Sequence, residues 1–404
     1  MLYKIEIENF YSISEHQEID LRARKSVVDN LGRLSPIFTG SEDRSPNVVA
    51  LFGPNAAGKS NLLRAIVFAA WFVTRSFEHD LNQLLPYQKF GSNEKISEPT
   101  RLAFSFSGPA DILGTPSDGR QCPYSYELVL SPRGNYSDFV ILEKLSYKPT
   151  IFGKSTAIIE RRENGFVRFA RGFVAGSLER ALKAVLRPEA SVICTLARLN
   201  HAKAKTFVES ILGIKTNIFW EGSEGDESLA TLWYASNPSA FDQLRSIGKR
   251  IDLGIDQINV DNSSAEPQLK FKHSGLDQII SLQLESHGTR QLIKILPFIQ
   301  MALEQGGMAV IDDIDSAIHP LLLPEIIRWF GDIDRNPKGA ELWMTCHAAS
   351  LLSELTKEEI LFFEKDSLGR TNVFRLVDIE GVRRDENFFG KYMSGEYGAV
   401  PILG

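Results

Sequence analysis

One eight-residue segment has the residue types and spacing that phosphate chemistry requires. Glycines stand at its first and sixth positions, before lysine and serine, and it reads Gly53-Pro54-Asn55-Ala56-Ala57-Gly58-Lys59-Ser60, followed by Asn61. Glycines let the backbone turn so tightly that several N–H groups point at one phosphate. In this pattern the lysine reaches the terminal phosphates of a nucleotide and the serine hydroxyl binds magnesium. The segment therefore predicts a site for ATP and Mg²⁺.

Acidic and imidazole side chains follow two further apolar runs. Asp312 and Asp313 come after the run 308–311, and His347 closes the run 341–346. A phosphate loop needs a carboxylate to hold magnesium, and Asp312 is the candidate. Asp313 and His347 are the catalytic candidates. The alternatives are a solvated turn for the two aspartates and a buried, hydrogen-bonded histidine for His347.

The surrounding pattern predicts the elements that must position these groups. Val48–Phe52 is short, apolar and partly β-branched, as in a buried parallel strand. From Ser60 onward, apolar residues recur at helical spacing. Because ligands of open α/β sheets bind beyond the carboxyl ends of the strands, three strand ends carrying Lys59, Asp312 and His347 predict one shared site.

The chain divides into three parts by pattern. Residues 1–170 hold the phosphate loop and a strand-rich lobe, 171–250 form a helical insertion, and 251–404 return to an α/β pattern. The predicted fold class is α/β with a mixed sheet.

Composition narrows the class of protein. The 404 residues carry a net charge of −6, whereas a dedicated nucleic-acid-binding domain is usually basic. The longest apolar run, 65–73, is shorter than the roughly 20 residues that cross a membrane. The N-terminus has charges at alternate positions, unlike a secretory signal, and the three cysteines lack pairing or metal spacing. We expect a cytoplasmic protein with no membrane partner.

Several motifs, taken in order, resemble one family. Beside the two motifs above, they are Asn9-Phe10, Glu285-Ser286-His287-Gly288-Thr289-Arg290-Gln291, Asp315-Ser316-Ala317-Ile318-His319-Pro320, Trp343-Met344-Thr345-Cys346-His347, Phe363-Glu364-Lys365-Asp366 and Tyr397-Gly398-Ala399-Val400-Pro401. This order resembles ABC-type ATPases of the branch that contains SMC proteins, RecF and overcoming-lysogenisation nucleases. It is most similar to bacterial abortive-infection ATPases, which act against phage. The resemblance covers both ends well and residues 75–245 poorly.

The resemblance implies a site that two heads share. Ser286 and the Gly288 N–H would face the γ-phosphate from a partner head, with Arg290 as a further contact. A helix N-cap is the alternative role for Ser286, and both roles can hold together. The family also uses a glutamine that helps bind magnesium, and Gln83, Gln88 and Gln121 are candidates.

The family usually has glutamate after the magnesium-binding aspartate, to orient the attacking water. Asp313 is one methylene shorter, about 1 Å, and such a misplacement can cost roughly 100-fold in rate. We therefore expect slow turnover and long-lived ATP-bound heads. Asp315 is an alternative to Asp313 in this role.

The leading interpretation is an ATPase that serves as sensor or scaffold in bacterial anti-phage defence. It would form a head-to-head dimer or higher oligomer and control a separate effector, a toxin or nuclease, because the stretch after His347 is too short for a nuclease domain. The alternatives are a RecF-like DNA-repair ATPase that binds duplex DNA and, less favoured, the nucleotide-binding subunit of a transporter. The basic pair Arg161-Arg162 is interpreted as solvated surface rather than a nucleic-acid contact.

Overall fold

The computed structural model describes residues 1–80, 83–114, 119–133, 136–149, 153–218, 227–250, 254–263, 266–318 and 321–401. The strands in these ranges are β1 (Leu2–Glu8), β2 (Gln17–Asp20), β3 (Leu34–Pro36), β4 (Arg44–Pro46), β5 (Val48–Phe52), β6 (Thr100–Pro109), β7 (Gln121–Arg133), β8 (Tyr136–Tyr147), β9 (Thr156–Arg162), β10 (Val167–Phe169), β11 (Ile214–Thr216), β12 (Ile255–Asp261), β13 (Gln268–His273), β14 (Ile279–Ser281), β15 (Met308–Ile311), β16 (Glu341–Thr345), β17 (Ile360–Lys365) and β18 (Thr371–Arg375). The helices are α1 (Lys59–Arg75), α2 (Asn93–Ile96), α3 (Gly176–Val185), α4 (Val192–Arg198), α5 (Ala202–Ile211), α6 (Glu227–Ser236), α7 (Pro238–Arg250), α8 (His287–Gln305), α9 (Ile314–Ala317), α10 (Leu323–Trp329) and α11 (Phe388–Met393).

A six-stranded sheet, called the central sheet below, carries the predicted site. Its strand order is β11-β15-β16-β5-β17-β18, and every neighbouring pair is parallel except β17 with β18. All five residues of β5 are buried, and they alternate between two hydrophobic cores on the two faces of the sheet. A strand covered on both faces has no polar side, which is why 48–52 is a continuous apolar run.

A seven-stranded antiparallel sheet, called the lobe sheet, forms the strand-rich N-terminal lobe. Its order is β10-β9-β8-β7-β6-β1-β2. Helix α1 joins the two sheets, because its apolar residues lie in the same hydrophobic core as side chains from the lobe strands. The structure therefore confirms the predicted α/β class with a mixed sheet and a strand-rich lobe.

The region between 171 and 250 is mostly helical, as predicted, with α3 to α7. One part of that prediction is wrong, because 214–216 form β11 and pair in parallel with β15 of the central sheet. Three residues are too few to show an alternating pattern, and their pairing partner is far away in the sequence. The domain boundaries at 170 and 250 stay predictions.

The central sheet brings the three predicted strand ends to one edge. In the parallel pairing Met344 lies opposite Ala50, and Ile311 lies opposite Met344, so β5, β16 and β15 end at the same level. The loops that follow these strands start with Gly53, Asp312 and Cys346. The chemistry-bearing residues on those loops are thus neighbours in space.

Candidate nucleotide site

The loop between β5 and α1 has a backbone that only small residues permit. Gly53 has a φ of 145°, Ala56 of 62° and Gly58 of 103°. A Cβ on Gly53 would lie 2.4 Å from the carbonyl oxygen of Phe363, closer than any side chain can approach. The loop leads directly into α1, whose first turn contains no acidic residue. The positive end of the helix dipole therefore faces the loop, and the helix's own first turn supplies no carboxylate against it.

Lys59 is held in this loop as a buried cation. Its side chain is 5% exposed in the folded chain, and Nζ donates to the carbonyl oxygens of Gly53 (2.9 Å) and Pro54 (3.0 Å). Burial lowers the pKa of Lys59, and the carboxylates of Asp313, Asp312 and Asp315 act in the opposite direction. A buried ammonium near a polar loop gains more from an anionic ligand than it would in water.

The remaining loop residues divide by exposure. Asn55 and Ala56 are exposed at the tip, whereas Ala57 is buried. Asn61, in the first turn of α1, donates through Nδ2 to the hydroxyl of Ser12 at 2.7 Å.

The two predicted magnesium ligands meet. Ser60 Oγ donates to Asp312 Oδ1 at 2.9 Å, although the two residues come from distant parts of the chain. Hydroxyl and carboxylate oxygens are ligands that Mg²⁺ prefers, usually one or two from the protein with the rest from phosphates and water. No cluster of three or more histidine, cysteine, aspartate or glutamate side chains suited to a metal occurs in the ranges described above. One hydroxyl and one carboxylate in contact are a donor set that fits magnesium held jointly with a nucleotide.

Two residues that sequence reasoning missed hold Asp312. Thr345 donates through Oγ1 to Asp312 Oδ1 (2.7 Å) and accepts from the Asp313 backbone N–H (2.7 Å). Asn217 makes a two-way bond with the Asp312 backbone, donating to its carbonyl (2.9 Å) and accepting from its N–H (2.8 Å). The polar last residue of an apolar strand was a signal for Thr345, whereas no local signal marks Asn217.

Asp313 and His347 lie side by side at the open end of the site. His347 Nε2 is 3.2 Å from Asp313 Oδ1, and both side chains are about half exposed (42% and 53%). Asp313 is in the left-handed region, with a φ of 49° and a ψ of 52°. The hydrogen bond between its backbone N–H and Thr345 holds this uncommon left-handed conformation in place.

Asp315, the alternative to Asp313, accepts two backbone hydrogen bonds in this structure. Its Oδ2 accepts from the backbone N–H groups of His347 (3.0 Å) and Ala348 (2.8 Å). This carboxylate therefore anchors the loop that carries His347.

The segment 285–291 forms the start of α8. Ser286 is the N-cap, accepting from Thr289 N at 3.1 Å, as the helix-cap alternative predicts. No atom lies within 4 Å of a Cβ built on Gly288. Arg290 donates through Nε (2.8 Å) and Nη2 (2.5 Å) to Glu227 Oε1. The contacts of Ser286 and Arg290 lie with α8 and α6, so this chain does not bring them to its own phosphate loop.

Among the three glutamine candidates, Gln88 is bonded to the neighbour of a residue that touches the loop. Its carbonyl accepts from Tyr11 N at 2.8 Å, next to Ser12. Gln83 and Gln121 are both exposed. Any magnesium contact by a glutamine stays a prediction. Of the motif 315–320, residues 319 and 320 lie outside the described residues.

A comparison with family models matches residues 48–192 and 223–353 to the family described as "AAA domain, putative AbiEii toxin, Type IV TA system". This match covers more than half of the chain. The chain belongs to this AbiEii-type AAA family. The resemblance to abortive-infection ATPases is thereby confirmed. A comparison with curated protein sequences found no match.

Several solved structures share part of the architecture of this AbiEii-type AAA chain. An SMC head bound to the C-terminal winged-helix domain of ScpA is 13% identical, with coverage of 93% of this chain and 97% of that one and a TM-score of 0.49. The SMC head domain from Thermotoga maritima is 12% identical (93% and 98% covered, TM-score 0.38). The SMC head from Pyrococcus furiosus bound to the ScpA C-terminal domain is 13% identical (93% and 96% covered, TM-score 0.46).

Within the described ranges, no helix of this AbiEii-type AAA chain combines the length and apolar character that crossing a bilayer requires.

Proposed function

We propose that this chain binds ATP with magnesium, hydrolyses it slowly, and acts as sensor or scaffold in bacterial anti-phage defence by controlling a separate effector. One observation carries the ATPase part of the proposal. The hydrogen bond between Ser60 and Asp312 joins the phosphate loop to the double-aspartate strand end at 2.9 Å. A phosphate loop paired with a strand-end carboxylate is the arrangement that nucleotide hydrolysis requires.

Nucleotide binding would rest on the loop and on Lys59. The backbone N–H groups after Gly53 would cradle the α- and β-phosphates, and Lys59 would reach the β- and γ-phosphates. A phosphate oxygen would replace the carbonyls of Gly53 and Pro54 as acceptor for the ammonium group. Exchange of neutral acceptors for an anionic one strengthens each hydrogen bond.

Ser60 and Asp312 would hold the magnesium ion. A bound Mg²⁺ supplies positive charge that offsets the charge of the phosphate oxygens during phosphoryl transfer. Thr345 and Asn217 keep the Asp312 carboxylate and backbone in place for this task. The chain itself contributes alignment, which is where most of the acceleration of phosphoryl transfer arises.

Asp313 and His347 would orient the attacking water. Their contact of 3.2 Å leaves both side chains half exposed, where a water molecule can reach them. The short Asp313 side chain is our reason for slow turnover. Asp315 is not favoured for this role, because one of its oxygens already accepts two backbone N–H groups.

A second copy of the chain would complete the site through Ser286, Gly288 and Arg290. Two observations support this step. The first turn of α8 contains no acidic residue of its own, and the Glu227 carboxylate beside it is already paired with Arg290. Among the described residues, and apart from the backbone of α8 itself, no atom would meet a Cβ at 288, whereas close approach of a partner's nucleotide would favour glycine there.

The defence role rests on the family description, which names an abortive-infection toxin and a toxin–antitoxin system. The effector would be a separate toxin or nuclease. A role in DNA repair has no specific observation in its favour.

The first experiment measures Mg²⁺-dependent ATP binding and hydrolysis by wild type, Lys59→Met and Asp312→Asn. Lys25→Met is the matched control, because Lys25 is an exposed cation outside the loop that pairs with the exposed Glu42. We expect loss of binding in Lys59→Met, loss of hydrolysis in Asp312→Asn and unchanged behaviour in Lys25→Met. A wild-type protein that ignores ATP at millimolar Mg²⁺ would refute the ATPase proposal.

The second experiment tests pairing and the defence role. Asp313→Asn should accumulate an ATP-dependent dimer, detectable by light scattering, and Ser286→Arg should prevent it. Cells carrying the gene with its neighbour should survive phage infection as a population, and lose this protection with Lys59→Met. ATP-dependent binding of duplex DNA that weakens steeply with salt would instead favour DNA repair.

A further inference from the structure

Two hydroxyl groups outside the phosphate-loop motif touch each other beneath the loop. Ser12 lies in the turn after β1, and Thr371 is the first, buried residue of β18. Their hydroxyl oxygens are 2.7 Å apart, and the Thr371 backbone N–H donates to the Ser12 carbonyl, also at 2.7 Å. The contact therefore fixes both backbone and side chains of two segments that are 359 positions apart in the sequence.

This pair is bonded to the loop on both sides of Gly58. Thr371 Oγ1 donates to the Ala57 carbonyl oxygen at 2.8 Å. Asn61 Nδ2 donates to Ser12 Oγ at 2.7 Å. A Cβ on Gly58 would lie 2.2 Å from Thr371 Oγ1 and 2.7 Å from Ser12 Oγ. Glycine at 58 is thus required by the hydroxyl pair as well as by its φ of 103°.

Counting protons gives the chain of bonds a single direction. A hydroxyl has one proton to donate, and Thr371 uses it on Ala57. Ser12 must then donate to Thr371, and the free lone pairs of Ser12 accept from Asn61. The order is Asn61 to Ser12 to Thr371 to Ala57, with every donor used once. Such consecutive bonds polarise one another, so each is stronger than it would be alone.

The last bond controls the direction of a backbone N–H group. The Ala57 carbonyl and the Gly58 N–H belong to one planar, trans peptide unit and point in opposite directions. Because Thr371 holds the carbonyl on its own side, the Gly58 N–H points away from Thr371. Loop N–H groups of this kind are the donors that cradle the α- and β-phosphates.

We propose that Ser12 and Thr371 are positioning residues that set the nucleotide affinity of the phosphate loop by fixing the 57–58 peptide. The inference rests on the proposed ATP-binding function. It adds two residues to the site that neither belong to its motifs nor touch the phosphates through their hydroxyl groups.

The test compares Thr371→Val, which keeps the shape and removes the hydroxyl, with Thr371→Ser, which keeps the hydroxyl. We expect Thr371→Val to weaken ATP and ADP binding by the same factor, about tenfold, because the peptide would serve phosphates common to both nucleotides. Thr371→Ser should bind within about threefold of wild type, and kcat at saturating ATP should change less than about twofold in both. Ser12→Ala combined with Thr371→Val should bind ATP as tightly as Thr371→Val alone, because Thr371→Val has already interrupted the series of hydrogen bonds.

The outcomes separate the two levels of the proposal. If wild type binds ATP and Thr371→Val binds it equally well, the positioning role is overturned and the proposed function stands. Equal losses in Thr371→Val and Thr371→Ser, with matching loss of thermal stability, indicate packing alone and also overturn it. If wild type fails to bind ATP, both proposals fall.

Discussion

Thr345 is the residue whose replacement tests the geometry of the site most directly. It is fully buried at the end of β16, donates to Asp312 and accepts from the Asp313 backbone. Thr345→Val keeps the shape and deletes both bonds. A hydrogen bond to a charged group contributes about 1.5–3 kcal/mol. Each factor of ten in rate corresponds to about 1.4 kcal/mol. If the energy of this bond serves to hold the Asp312 carboxylate in place, its loss lowers kcat by about 10- to 150-fold.

The assay is steady-state ATP hydrolysis at saturating Mg²⁺, together with ATP affinity and thermal unfolding. We expect kcat to fall in Thr345→Val, while ATP affinity changes less than about threefold because the phosphate loop is intact. Thr345→Ser keeps the hydroxyl and should retain most of the rate. A Thr345→Val protein that turns over within twofold of wild type would refute our account of how Asp312 is held. So would a Thr345→Ser protein as impaired as the valine variant.

Three further predictions concern the site and the stability of the fold. Asp313→Glu should raise kcat, by up to about 100-fold, and an unchanged or lower rate would contradict the short-base explanation. Removing Mg²⁺ with a chelator should abolish hydrolysis. Asp312→Asn should need a higher Mg²⁺ concentration than wild type for half-maximal ATP binding. Equal Mg²⁺ dependence of the two proteins would argue against Asp312 as a magnesium ligand. Arg33→Met should lower the free energy of unfolding by about 3–5 kcal/mol in denaturant titrations, because it leaves buried Glu359 unpaired, and adding Glu359→Leu should restore most of it. Burial raises the pKa of Glu359 even beside Arg33, so the loss in Arg33→Met should be larger at pH 8 than at pH 5, where the carboxyl takes up a proton; equal losses at both would contradict it.

The elements that position the site were predictable because their signals are local. A fully apolar run followed by the glycine-containing loop predicts β5 and the turn after it. Because ligands bind beyond the carboxyl ends of parallel strands, Asp312 and His347 are predicted to lie at the same site. The contact of Ser60 with Asp312 follows from those two signals. The prediction that 214–216 are helical was wrong, because only the neighbouring strand β15 makes them a strand.

The residues that hold the site could not be predicted, because their partners are distant in sequence. Asn217, Ser12 and Thr371 are ordinary polar residues in their own neighbourhoods, and each acquires its task from a contact more than 90 positions away. The interpretation of Arg161 as solvated surface was also wrong. Its guanidinium is buried and donates to three backbone carbonyls, those of Ala190, Arg187 and Pro188. Sequence gives no means of telling such a buried arginine from an exposed one.

Strand β11 and Asn217 connect the region 171–250 to the candidate site. Asn217 forms hydrogen bonds with both polar groups of the Asp312 backbone, and β11 adds one strand to the same sheet. Removal of residues 171–250 would therefore delete both the strand that borders β15 and the side chain that holds the Asp312 backbone. A partner that displaced those helices would act directly on Asp312, the proposed magnesium ligand.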